Sequence, residues 1–274
     1  MQVSAQNTKI EKLDSLINIS ETDTGRINLV LKKLEVLSTV NFDSANTLAL
    51  ETLYEVKKIK FYRGEVDTRK KLVYIYSYKG NFEAASEQLK YLERFIKVGK
   101  DSIDFAGVFA SWGLLYGMQS KYDSSIIYYE KAIRIFEKLK NRDRLRTSYS
   151  NIAIGYQQQS NFSMALIYQQ KALQICEEDK NESGQAYTNV NIANTYLNVG
   201  DFVRAENAFL KSIKLAKKMQ LNNVILYAYS NLSTMYSNDK KWKKSYEFGI
   251  KANELVRQMG DKGIQAAFQK LLQQ

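Results

Sequence analysis

Apolar and polar positions recur along this chain with a period of 40 residues. One aromatic residue marks each unit: Phe82, Tyr122, Phe162, Phe202 and Trp242, with Phe42 one unit earlier. Each of the five follows a turn-like triplet, such as Lys79-Gly80-Asn81, Gln119-Ser120-Lys121 or Val199-Gly200-Asp201. Ten residues before the aromatic stands a large apolar residue: Leu72, Trp112, Ile152, Ile192 or Leu232. The next position is usually small, as at Gly113, Ala153, Ala193 and Ser233. Six residues before the aromatic stands Tyr76, Tyr116, Tyr156, Tyr196 or Tyr236. A second small column follows it by three: Ala45, Ala85, Ser125, Ala165, Ala205 and Ser245.

Within a unit the apolar residues are spaced for helices, as in Ile126-Ile127-Ala132-Ile133-Phe136. Small residues let two helices approach, and the large ones fill the space between pairs. The spacing predicts paired helices at 105–119 and 122–139, 144–159 and 162–179, 184–199 and 202–219, and 223–238 and 242–258. Earlier pairs cover 24–61 and 66–98. The expected fold class is all-α, a right-handed superhelical solenoid of helix pairs. Residues 1–23 form an N-terminal segment with a capping helix at 7–18. Residues 24–258 hold about six pairs, and 259–274 a C-terminal capping helix or the start of a further unit.

Composition narrows the chemistry. The 274 residues include no proline, which fits a nearly all-helical chain. They include no histidine, so Ser-His-Asp and Cys-His catalysis, histidine metal ligation and a phospho-accepting histidine are excluded. Cys176 is the single cysteine, which rules out an internal disulfide or a cysteine-based zinc site, and its helical position marks a buried structural thiol. No run reaches the ~18 apolar residues of a membrane span. The opening Val3-Ser4-Ala5-Gln6 is similar to the tail of a secretory cleavage site. The expected location is therefore periplasmic or extracytoplasmic, with the cytoplasm as alternative.

The order of small, large and aromatic columns resembles the tetratricopeptide repeat. The match is clearest in Asn151-Ile152-Ala153 with Tyr156, Phe162, Ala165 and Ala172, and recurs in Asn191-Ile192-Ala193 with Tyr196, Phe202 and Ala205. Two features depart from the family pattern: the period is 40 rather than 34, and the closing proline is missing. Both are similar to longer variants in bacterial sensor proteins and peptide-binding regulators. The stretch Thr22 to Val30, followed by Asp43-Ser44-Ala45, resembles the sensor region of bacterial sensor histidine kinases that carry these repeats, and related transcription regulators.

The resemblance implies a concave groove, built from the first helix of each pair, that binds a protein or peptide. Segments 105–120, 147–160, 185–200 and 221–238 contain no Asp, Glu, Lys or Arg. The formal charge of +11 suggests nucleic acid as a partner. Yet the recurring lysines, Lys131, Lys171, Lys211 and Lys251, fall on the second helices and read as a solvated outer face. A basic nucleic-acid-binding solenoid is therefore the weaker alternative, since phosphates need basic residues in the groove. A scaffold in the cytosol that recruits a partner protein is the other.

The expected ligand contacts are Asn151, Asn191 and Asn231, one per unit, since a carboxamide can both donate to and accept from a peptide amide. Asn194, Thr234, Asn198, Asn238, Gln157, Tyr187 and Tyr227 are expected beside them. The tyrosines at 116, 156, 196 and 236 read as packing. No phosphate-cradling glycine motif is present. The expectation is a non-catalytic module with no cofactor and no metal, a protein or peptide partner, and self-association as a homodimer.

Overall fold

The computed structural model describes residues 2–99 and 102–259. These residues are all-α, with thirteen helices in chain order and no strand among them. They are α1 (Gln2–Asn18), α2 (Asp23–Leu37), α3 (Phe42–Lys58), α4 (Tyr62–Tyr78), α5 (Phe82–Gly99), α6 (Ser102–Met118) and α7 (Tyr122–Lys138). There follow α8 (Arg142–Gln158), α9 (Phe162–Glu178), α10 (Glu182–Asn198), α11 (Phe202–Lys218), α12 (Asn222–Asn238) and α13 (Trp242–Met259). They form two compact units, one from Gln2 to Asn141 and the other from Arg142. The 40-residue period runs through that boundary without interruption, so nothing in its columns announces the division. The expected C-terminal helix lies outside the described residues from 260 on.

The 40-residue period divides into two equal halves. Helices α3, α4 and α6 to α12 each run 17 residues. Three-residue links join most of them, both within pairs and between pairs. The middle residue of each link is left-handed: Lys60, Gly80, Ser120, Lys140, Ser160, Lys180, Gly200, Gln220 and Lys240 all have φ between 51° and 76°. Around it the backbone closes the helix by two bonds, as when Asn161 N donates to Tyr156 O (2.8 Å) and Ser160 N to Gln157 O (2.9 Å). In several links the third residue then caps the next helix. Asn81, Asn161, Asn181 and Asp201 each accept a bond from the backbone N–H three residues on. The first helices also start earlier than the apolar spacing predicts, at 102, 142, 182 and 222. Likewise α1 begins at Gln2 rather than at residue 7, so Val3-Ser4-Ala5 lies in its first turn.

Each pair closes through its small columns. Ala45, Ala85, Ala153, Ala165, Ala193 and Ala205 are fully buried. At Gly113 an added Cβ would lie 2.8 Å from the Tyr129 ring, so only glycine lets that ring seat on α6. Ser125 Oγ bonds Gly113 O across the same contact (2.7 Å). Cys176 is buried against α10, where Gly184 leaves room for its Sγ; burial pushes the thiol up from its ordinary value.

Candidate functional site

The second compact unit places four residues of each first helix on one exposed or half-exposed face, one every three or four residues. On α10 these are Tyr187, Asn191, Asn194 and Asn198, and on α12 Tyr227, Asn231, Thr234 and Asn238. The 40-residue register puts Thr147, Asn151, Ile154 and Gln158 at the same places on α8. Of these last four, the column of asparagines finds only Asn151. Thr147, Ile154 and Gln158 escape a search by residue type, although counting back 40 from Tyr187, Asn194 and Asn198 would find them.

Asn151 and Asn191 are half-buried, and their carboxamides make no hydrogen bond to another described residue. Asn231 instead turns its Nδ2 back to Tyr227 O, 2.8 Å, leaving its Oδ1 open. Neighbouring helices are stitched along this face. Asn194 Nδ2 donates to Tyr227 Oη at 3.0 Å, and Asn223 Nδ2 to Tyr187 Oη at 3.4 Å. Thr234 Oγ1 folds back on Ser230 O. Gln157 sits one position away from the face and points its amide inward, to Thr195 Oγ1 at 2.7 Å.

The face is electrically neutral along its length, with charge at its N-terminal edge. Because α8 and α10 begin early, Arg142, Asp143, Arg144 and Arg146 lie in the first turns of α8, and Glu182 in that of α10. Arg142 is already committed. Its guanidinium bridges Glu178 (2.7 Å) and Asp179 (2.6 Å) at the end of α9, which holds the Glu178 carboxyl below its usual range. The recurring lysines are all exposed on second helices. Lys131 rests over Tyr128, Lys171 over Tyr168 and Lys251 over Phe248, at 4.5, 5.2 and 4.9 Å from the ring centres. Lys211 has Ala208 in place of that ring. The tyrosine column is packing: Tyr116 tilts against Tyr128 at 5.3 Å, and Tyr156 and Tyr236 stack on Tyr168 and Phe248 at 5.6 and 5.8 Å. Tyr196 lies under the Arg204 guanidinium instead.

Among the described residues no group of His, Cys, Asp or Glu is arranged to hold a metal ion, and no helix is long and apolar enough to cross a membrane.

The tetratricopeptide repeat family matches residues 106–178 and 144–218, the stretch from α6 to α11. Residues 106–218 carry tetratricopeptide repeats. Helices α6 to α13 follow one repeat register, and the small, large and tyrosine columns are its packing positions. No curated protein matches the sequence. Among solved structures, the apo form of RapI superposes with a TM-score of 0.68 at 16% identity, over 98% of this chain and 79% of that one. A Rap protein complexed with competence and sporulation factor gives 0.60 at 15%, over 90% and 86%. The apo form of the quorum sensor NprR from B. thuringiensis gives 0.59 at 17%, over 82% of this chain and 64% of that one. At these identities the likeness is one of fold.

Proposed function

We propose that this chain is a protein- or peptide-binding repeat module that captures an uncharged stretch of polypeptide across α8, α10 and α12, as the ligand-sensing part of a bacterial signalling protein. The observation that carries this reading is the pair of open carboxamides, Asn151 and Asn191, at equivalent places on neighbouring first helices of one face. Helices packed side by side lie about 8–10 Å apart. Extended chain advances about 3.3 Å per residue, so such a ladder suits every third amide of a strand-like ligand. Tyr187, Tyr227 and Ile154 add exposed apolar surface beside the amides. A Rap protein is bound to a signalling factor in its structure, and NprR is described as a quorum sensor. These two precedents support the sensing role.

Panning a randomised peptide library against the folded chain tests the reading. Selected peptides should bind at least about tenfold more weakly when Asn151, Asn191 and Asn231 are changed together to Ala, given roughly 0.5–1.5 kcal/mol per lost hydrogen bond. Circular dichroism should show the helices intact. Equal binding by the triple variant would make the asparagine ladder part of the scaffold.

A further inference from the structure

Beneath the face runs a buried polar chain. Gln169 on α9 is 2% exposed and Thr195 on α10 is fully buried. Gln157 Nε2 donates to Thr195 Oγ1 at 2.7 Å, Thr195 Oγ1 donates to Gln169 Oε1 at 3.0 Å, and Gln169 Nε2 donates to Asn191 O at 3.2 Å. Every donor in this order has an acceptor, and the chain ends on the backbone of Asn191.

From α3 on, two of its members break columns that otherwise hold apolar residues, a tyrosine or glycine. The positions equivalent to Gln169 hold Ala49, Leu89, Tyr129, Phe209 and Gly249, and those equivalent to Thr195 hold Ile75, Leu115, Gly155 and Met235. Two polar departures, far apart in sequence, meet each other in space. The same joint keeps Tyr196 but lacks two of the three rings that interlock its counterparts. Where α12 and α13 meet α11, they present Tyr229, Tyr236 and Phe248, with Lys217 of α11 over the Tyr229 ring and Glu206 beside the Tyr236 hydroxyl. In the other compact unit α6 and α7 present Trp112, Tyr116 and Tyr128, and Trp112 Nε1 donates to Glu93 of α5. At α10 and α11 the positions of Tyr229 and Phe248 are taken by Asn189 and Ala208.

We infer that Gln157, Thr195 and Gln169 are positioning residues that fix the register of α8 and α9 against α10, and so set the separation of Asn151 and Asn191. Rings wedged between helices resist sliding by shape. Small and flat apolar surfaces do not, and directional bonds inside a low-dielectric joint supply the missing definition. A merely stabilising role would favour leucine at 169, which returns the apolar column.

The test is the distance between spin labels at Gln158→Cys on α8 and Asn198→Cys on α10, since the buried Cys176 takes no label in the folded chain. The parent chain should give one narrow distance. Thr195→Val and Gln169→Leu should each broaden it or add a second population displaced by up to one helical turn, about 5.4 Å. The melting temperature of Gln169→Leu should hold or rise. Thr195→Ser keeps the hydroxyl and should restore the narrow distance. One narrow distance in both Thr195→Val and Gln169→Leu overturns the inference, as does broadening in Thr195→Ser equal to that in Thr195→Val. The consequence for ligand capture rests on the binding face proposed above. The distance does not, so either idea can fail alone.

Discussion

Pairs α2/α3 and α6/α7 share one compact unit, but α2 slips from the 40-residue register, with Lys32 exposed at the place of Trp112 and Leu31 and Leu34 buried instead; α6/α7 packs most extensively of all the pairs and α2/α3 least. The difference lies in two columns. Counting back 80 residues from Gly113 of α6 and from Tyr129 of α7, whose ring sits on it, reaches Lys33 of α2 and Ala49 of α3. A ring over a glycine makes a knob and a hole. A lysine facing an alanine makes neither, and Lys33 turns away to Asp14 of α1 at 2.5 Å. Intermediate cases rank accordingly: α4/α5, with Val73 in the small column, packs less closely than the pairs with Ala153, Ala193 or Ser233. From α4/α5 on, bulk at this one position grades the closeness of the pair.

Removing the hole in α6/α7 should have the largest effect. In Gly113→Val the added carbons meet the buried Tyr129 ring, whose neighbours leave it no place to go. The expected loss is about 3 kcal/mol of unfolding free energy, read from the urea midpoint. The gain in helix propensity, about 0.5 kcal/mol, offsets little of this. A stability equal to the parent's would show that the pair can open without loss, and that bulk does not grade the pairs.

That column could be read from the sequence because close packing tolerates few residue types: glycine, alanine and serine stand out at a fixed interval. The half-period could not. Its left-handed residues, among those described, are mostly lysine, serine and glutamine, with glycine at 80 and 200, so the turns at Lys60, Lys140, Lys180 and Gln220 carry no compositional mark. The closing bonds there are between backbone groups, which any residue supplies. The exposed face was legible for the same reason as the core on α10 and α12, where asparagine recurs. It was obscured on α8, where Thr147, Ile154 and Gln158 share the place but not the chemistry. Gln157 was expected on the face because it is a neighbouring amide; only the position of Thr195 shows that it turns inward.

The turns sharpen the comparison further. Ser120 between α6 and α7 has φ of 58°, whereas the longer link between α2 and α3, residues 38–41, has no left-handed residue. Ser120→Gly should relieve a conformation that costs a side chain about 1 kcal/mol, and so stabilise by several tenths or more after the greater freedom of the unfolded glycine is counted. Val40→Gly should do the reverse, losing roughly 0.5–1 kcal/mol. Thermal melts of both variants check the signs. If both shift the same way, the left-handed turn is not what distinguishes the two pairs.

The smallest effect should come from repairing the column where it fails. Lys33→Ala restores a small residue to α2, but α3 still offers Ala49 and no ring to occupy the space. The ion pair with Asp14 is lost, and since the Asp14 carboxylate is 45% exposed that loss is a few tenths of a kcal/mol at most. Alanine's better helix propensity returns a similar amount. The expected change in melting temperature is therefore close to zero, in contrast to the large loss at Gly113. Adding Ala49→Tyr to Lys33→Ala supplies the knob as well as the hole. If the double variant is more stable than the sum of the two single changes predicts, closeness belongs to the pair of columns acting together; strict additivity would mean that each column acts alone.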